Sequence, residues 1–194
     1  MPKNILRDAI RKHLKQINAE QRSEKSIKAC RKLISTQQFK NAKVIMMFLS
    51  LPEEIDTTEA IESALKQGKT VAVPKVFWDE KYMIPVKLNC LDDDFSTTVA
   101  RLRNPLSEEA IPVEKIDLVI TPALGFDRKG HRIGRSGGFY DRFFADNKLR
   151  AIKCGLGFDE QMLDEIFVPT ISTDVPLDML VTDEKIMFFN EEST

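Results

Sequence analysis

The sequence predicts an α/β fold, a three-layer αβα domain built on a mostly parallel sheet with two helices at its N-terminus. Three observations predict it. Helical and strand-like apolar periodicities alternate along the chain. Several strand segments are continuous apolar runs, the kind buried on both faces of a parallel sheet. The 194 residues suffice for one substantial core without room for two, so a single domain over 1–194 is expected.

In residues 4–17 the apolar positions Ile5, Ala9, Ile10, Leu14 and Ile17 recur at spacings of three and four, which predicts a helix. Asn18 with Gln21 is a capping-box pattern opening a second helix, with Ile27, Cys30, Leu33 and Ile34 on one face. Residues 44–49, VIMMFL, form a buried strand. Asp56 and Glu59 bracket the start of a helix that runs to Gly68, its C-cap. Residues 70–77 are again a strand, and 82–88 a weaker one that Pro85 inclines toward an edge. Residues 89–115 are irregular and read as a long loop with short elements. Residues 116–121, IDLVIT, are a buried strand, followed by a polar, glycine-rich stretch to Gly138 and a helix over 139–147. Residues 151–158, 178–182 and the KIMFF segment complete the sheet.

Composition excludes several classes. Hydrophobic residues at 42% and charged residues at 30% describe an ordinary globular chain. A net charge of −1 gives no long-range attraction to nucleic acid or acidic lipid, so any anion site must be local. Three separated cysteines and two histidines argue against a disulfide framework or a Cys/His metal site and fit a reducing cytoplasm. The charged N-terminus lacks a signal-peptide core, and no run of apolar residues is long enough to span a membrane.

Two segments follow strong strands directly, where open α/β sheets bind ligands: residues 50–56 and 122–141. The second is the richer. Residues 124–142, LGFDRKGHRIGRSGGFYDR, hold glycines at 125, 130, 134, 137 and 138 and basic residues at 128, 129, 132, 135 and 142. Glycines let amides approach a ligand closely, arginine forks match phosphate oxygens, and a helix opening at Phe139 would add its free amides. Asp141 is placed to hold a divalent cation. The pattern is neither a P-loop nor a dinucleotide fingerprint. The residues by themselves support an anion site, with a solvated surface loop as the plain alternative.

The run Pro122-Ala-Leu-Gly-Phe-Asp followed by Gly130-x-Arg132-Ile-Gly-Arg135-x-Gly-Gly-Phe-Tyr-Asp141-Arg closely resembles the signature of the 5-formyltetrahydrofolate cyclo-ligases. Lys3-x-x-x-Arg7, Phe48-Leu-Ser-Leu-Pro-Glu-Glu54-Ile-Asp-Thr57, Val73-Pro-Lys-Val76 and Val168-Pro with Asp174-x-Pro-x-Asp178 extend the resemblance over nearly the whole chain. It implies an ATP-driven cyclisation of 5-formyltetrahydrofolate to 5,10-methenyltetrahydrofolate with release of ADP and phosphate. It also implies roles by position. Lys3, Arg7, Arg132, Gly134, Arg135, Ser136, Gly137, Gly138, Phe139, Tyr140, Asp141 and Arg142 would contact ATP. Leu49, Glu54, Arg135, Ser136, Gly137, Gly138 and Phe139 would contact the folate. Arg135 and Tyr140 would be catalytic, and Asp141 and Asp174 would bind Mg²⁺. The four-residue spacing of Lys3 and Arg7 puts both on one helical face, and the Glu54 carboxylate suits the paired N–H groups of a pterin. Ser136 stands where the family usually has glycine, and Phe139 where tyrosine is common. The two small molecules are the partners expected for a cytoplasmic monomer that binds neither nucleic acid nor membrane.

Two competing readings stay open on the residues alone: a sugar-phosphate isomerase or related phosphate-ligand binder on a similar fold that makes no use of ATP, and an RNA-binding module using the basic segment. The first lacks an obvious general base beyond Glu54 and His131, and the neutral charge counts against the second.

Overall fold

The structure is a computed structural model that describes residues 2–93, 95–97, 103–135 and 137–189. Helix α1 (Lys3–Leu14) buries Leu6, Ile10 and Leu14. Ile10, Leu14 and Ile17 are buried as expected, whereas Ile5 is 52% exposed and Ala9 is on the surface, with Leu6 buried in their place. Leu6 rather than Ile5 turns inward because of how the helix docks: Ile10 Cδ1 sits 3.0 Å from where a Cβ on Gly125 would stand. Helix α2 (Ala19–Ser35) opens with the expected reciprocal cap, Gln21 N–H to Asn18 Oδ1 at 2.9 Å and Asn18 N–H to Gln21 Oε1 at 3.0 Å. It buries Ser26, Ala29, Cys30 and Leu33, whereas Ile27 is exposed. A five-residue helix not foreseen in the sequence, α3 (Gln37–Asn41), plugs the core with Phe39.

Strand β1 (Val44–Met47) leads through α4 (Thr58–Lys66) to β2 (Thr70–Phe77), which pairs parallel to it. The α4 terminus is a Schellman turn, with Gly68 N–H on Leu65 O and Lys69 N–H on Ala64 O. Strand β3 (Tyr82–Leu88) returns antiparallel and closes one edge of the sheet, with Pro85 opposite Pro74, as the proline implied. The irregular region contains a small ribbon, β4 (Phe95–Thr97) against β5 (Arg103–Pro105). Strands β6 (Leu118–Thr121), β9 (Ile152–Leu156) and β11 (Met179–Val181) continue the parallel sheet on the other side of β1. The antiparallel β12 (Ile186–Phe188) forms the second edge. The order is β12-β11-β9-β6-β1-β2-β3.

Helices α1 to α4 share one core with the face carrying Ile45, Met47, Val71, Val73, Leu118 and Ile120. The opposite face, with Met46, Ala72, Val119 and Leu180, packs against Phe143 and Phe144 of α5 (Phe139–Phe144) and against Phe126. The layers are unequal: α5 has six residues and ends before the expected 147.

The glycine-rich stretch is not one continuous loop. It folds as a hairpin of β7 (Gly125–Asp127) and β8 (Arg132–Ile133), with β10 (Met162–Leu163) parallel to β7. The buried Asp127 carboxylate organises the turn by accepting the amides of Lys129, His131 and Val168, each at 2.9 Å. The hairpin docks on the sheet because β9 offers no side chain at Gly155. A Cβ there would lie 2.7 Å from Phe126 and under 3 Å from Leu177 and Leu180. Gly155→Ala therefore overpacks this junction, with an expected loss of about 1–3 kcal/mol, measurable as a lowered thermal midpoint. An unchanged midpoint would mean that the hairpin is free to lift.

Chain order sets where a ligand binds. From β1 the chain moves outward through β2 and β3, then returns to the other flank of β1 at β6. The crevice outside the carboxyl ends of β1 and β6 is thus a topological switch point. Residues 50–56 leave the end of β1 and residues 122–141 leave the end of β6, so both sequence candidates border it.

Candidate active site

A cavity of about 660 Å³ opens at this switch point. Lys3, Arg7, Leu49, Glu54, Arg132, Gly134, Arg135, Gly137, Gly138, Phe139, Tyr140, Asp141 and Asp174 all line it. Residues 171 positions apart in sequence are thereby joined in one site. Ser136 lies outside the described residues. Arg142 does not reach the cavity: its guanidinium bonds the carbonyls of Lys81 and Gly137 and lies over the Phe139 ring.

One end of the cavity is built from cation–carboxylate contacts. Lys3 Nζ reaches Asp174 Oδ2 at 2.7 Å, and Arg7 Nε donates to Gly134 O at 2.9 Å, so the first turns of α1 grip both the 171–174 turn and the glycine loop. Arg132 projects inward from β8, its side chain only 5% exposed. It donates to Asp141 Oδ1 at 2.6 Å and Val175 O at 2.8 Å, with its guanidinium 4.8 Å from the Phe144 ring centre. Burial lowers the Arg132 pKa below its ordinary value, against the opposing pull of Asp141. Burial alone would raise the Asp174 carboxyl. The Lys3 hydrogen bond, the Ile171 amide and the charges of Lys3 and Arg132 outweigh it and hold the carboxyl below the usual range.

The hinge of the site is a third ion pair. Arg135 Nε meets Glu54 Oε1 at 2.8 Å, while Glu54 Oε2 accepts the Leu51 amide at 3.0 Å. The strand-β1 loop and the glycine loop therefore touch directly. Gly137 and Gly138 follow with φ of 89° and 64°, a left-handed pair that turns the chain into α5 and that other residues rarely adopt. The enclosed Tyr140 hydroxyl is approached by Thr121 without a well-aligned bond. Burial, with Glu54 adding to it, pushes its pKa upward despite Arg132 and Thr121. Tyr140 is consequently a neutral hydroxyl.

The other end is apolar and aromatic: Pro74, Val76, Trp78 and Met83 from β2, β3 and their turn, facing Phe139, with Trp78 and Phe139 edge to face at 5.1 Å. Sequence reasoning missed this wall because Val76 and Met83 look like any buried strand residue. Trp78, the sole tryptophan, set just past a strand's carboxyl end, was the available signal. Arg11 and Arg103 also line the cavity and were not foreseen. Conversely, Arg128 and Lys129, counted among the basic residues of the loop, sit on the far side of the hairpin, paired with Asp164 and lying over Phe167.

A sheet switch point with a cationic, glycine-framed end, carboxylates paired to those cations and an aromatic wall defines an α/β protein whose crevice suits an anionic ligand together with a flat ring system. The matching family is specific. Residues 1–183 match the 5-formyltetrahydrofolate cyclo-ligase family, and the chain belongs to that family. The 5-formyltetrahydrofolate cyclo-ligase of Mus musculus is 29% identical over 94% of each chain. That of Escherichia coli is 26% identical over 91% of this chain and 98% of its own. The NMR structure of Aquifex aeolicus 5,10-methenyltetrahydrofolate synthetase superposes with a TM-score of 0.85 at 24% identity, covering 100% of this chain and 96% of that one. The Mycoplasma pneumoniae synthetase gives 0.75 at 21%, covering 94% and 99%. At those identities the two structures speak for the fold. Family membership sets aside the sugar-phosphate isomerase alternative.

Proposed function

We propose that this chain converts 5-formyltetrahydrofolate to 5,10-methenyltetrahydrofolate at the expense of ATP, in the cavity at the switch point. The observation that carries this reading is the convergence of Lys3, Arg7, Arg132, Arg135, Asp141, Asp174 and Glu54 on one cavity that also has an aromatic wall.

The formyl oxygen attacks the γ-phosphorus of ATP and ADP leaves, which converts a poor leaving group into a phosphate ester. N10 then adds to the activated carbon and loses its proton. The carbon–oxygen bond breaks, and phosphate departs with that oxygen. Such a path asks the protein mainly for positioning and for charge around a moving phosphoryl group. Lys3, Arg7 and Arg132 supply fixed positive charge at one end, and the amides around Gly134, Gly137 and Gly138 frame the phosphates. Arg135, at the junction of the two ends, follows the transferring group. Tyr140, neutral and enclosed, is a hydrogen-bond donor beside it. Glu54 holds the pterin.

Among the described residues no three His, Cys, Asp or Glu side chains converge as a metal cage. A Mg²⁺ arriving with ATP needs none, since it takes one or two carboxylates together with phosphate oxygens. Asp141 and Asp174, on the same cavity and each now facing a cation, are the residues that would hold it. Bound there, it would neutralise phosphate charge.

Three free thiols, Cys90 among them exposed, suit the cytoplasm, where we place a monomer acting on these two small molecules. Among the described residues no helix is long and apolar enough to cross a membrane.

Mixing the protein with 5-formyltetrahydrofolate and ATP–Mg²⁺ and following the methenyl absorbance tests the reaction. No product at any pH or metal concentration overturns it. The folate role of Glu54 has its own check. Glu54→Gln removes the charge and half the acceptor capacity, and the expected result is a KM for 5-formyltetrahydrofolate raised about tenfold or more. Unchanged folate binding would take Glu54 out of the site.

A further inference from the structure

Arg11 and Arg103 are the described cavity cations that the reaction above leaves without a task, and Arg11 is paired with Asp8 on its own helix. Arg103 comes from β5, in the region where sequence reasoning found only a loop. Its position is fixed by its neighbour. Asn104 Oδ1 accepts the Val76 amide at 2.8 Å, and Asn104 Nδ2 donates to Val76 O at 3.1 Å, so β5 is buttoned to the outer half of β2. Pro105, on the other side, is buried. The Arg103 guanidinium rests 5.5 Å above the Phe95 ring and lines the cavity beside Val76, Trp78 and Met83.

The other cavity cations are engaged. Lys3 faces Asp174, Arg7 the Gly134 carbonyl, Arg11 Asp8, Arg132 Asp141, and Arg135 Glu54. Among the described residues, Arg103 has no carboxylate or carbonyl partner. It is also separated from the phosphate end. Arg132 and Arg135 enter from the loop after β6, whereas β5 attaches to β2 on the far flank of β1. Strand β2, which carries β5, lies two strand positions from β6, about 10 Å at the spacing of neighbouring strands. An anion held by Arg103 is therefore a second anion, reached across the aromatic wall.

We infer that Arg103 receives the carboxylates of the substrate's glutamyl tail. The inference rests on the folate reading of this cavity and adds which end of the folate lies where. With the pterin at Glu54 and the aminobenzoyl ring along the wall of Trp78 and Met83, the chain of the ligand points to β5. There a planar guanidinium fork matches a carboxylate in bidentate geometry. A triphosphate placed at Arg103 would instead lie among Val76, Trp78 and Met83, where no other cation faces it among the described residues.

The test compares two substrates at saturating ATP–Mg²⁺: 5-formyltetrahydrofolate and 5-formyltetrahydropteroate, which lacks the glutamate. In the parent, the glutamylated substrate has the higher kcat/KM. In Arg103→Ala that preference falls about tenfold through KM, the loss expected for one charge-assisted contact. Arg103→Lys keeps part of it, and Arg103→Gln behaves as the alanine variant does. Because the side chain is on the surface, all three fold, which circular dichroism verifies. A preference unchanged in Arg103→Ala overturns the inference, and so does a rise in the KM for ATP instead. If the parent turns over neither folate, the reading beneath it fails first, and this inference fails with it.

Discussion

Arg135→Ala lowers kcat/KM for the cyclisation by about 10²–10³-fold, the usual effect of removing a fixed donor from developing negative charge. Lys129→Ala, six positions earlier in the same basic, glycine-rich segment, changes it by no more than about twofold, as surface substitutions do. The two residues look interchangeable in the sequence, yet the hairpin separates them. Arg135 lines the cavity with its guanidinium on Glu54, while the Lys129 ammonium lies 4.6 Å from the Phe167 ring on the outer turn. Removing Arg135 also strands Glu54, whose side chain is 9% exposed, so the folate end suffers along with the phosphate end. Arg135→Lys recovers part of the rate, because charge returns without the planar fork. Steady-state kinetics of the four proteins decides the matter. Equal losses in Arg135→Ala and Lys129→Ala would mean that the wrong side of the hairpin has been assigned to the ligand.

The second large effect is on stability as well as rate. Arg132→Met removes a buried guanidinium and leaves the Asp141 carboxylate and the Val175 carbonyl facing an apolar side chain. Asp141 is 28% exposed in the cavity, so leaving it unpaired together with the Val175 carbonyl costs about 1–3 kcal/mol. In a chain of this length that lowers the thermal midpoint by about 5 °C. Adding Asp141→Asn to Arg132→Met removes the stranded charge and restores part of the midpoint, while activity stays lost. That split, visible by combining thermal melts with turnover, separates a residue that merely holds the site together from one that also meets the ligand. If the double variant is no more stable than the single one, Arg132 and Asp141 do not act as a pair.

Much of this was legible beforehand, for physical reasons. Strands at the centre of a parallel sheet are apolar on both faces, so β1, β2 and β6 announce themselves as runs. Local chemistry made the α2 start readable, since Asn18 and Gln21 satisfy each other within one turn. Lys3 and Arg7 do share a face, as their spacing required, and both line the cavity. What escaped notice depends on distant partners. The strands β7, β8 and β10 are two or three residues long and exist because Phe126 meets Gly155 and because Asp127 ties in Val168 from 41 residues away. Ile5 and Leu6 are equally apolar, and only the docking of α1 beside Gly125 chooses between them. The aromatic wall was hidden for the same reason: a residue that lines a cavity and one that fills a core are spelled alike.

The grip of α1 on the rest of the site has a consequence for how the molecule is made. Its Lys3 and Arg7 contacts span 171 and 127 residues. During synthesis this helix emerges well before the residues that its basic side chains contact. Contacts of such separation close late, because the intervening chain must be ordered before they can form. The sheet and its helices can collapse while the cationic end is still missing two of its basic side chains. A ligand that needs that end therefore meets a competent pocket only after the chain from Lys3 to Asp174 has been made and brought together, and a nascent chain not yet past Asp174 lacks both a complete site and the strand β11 that follows it.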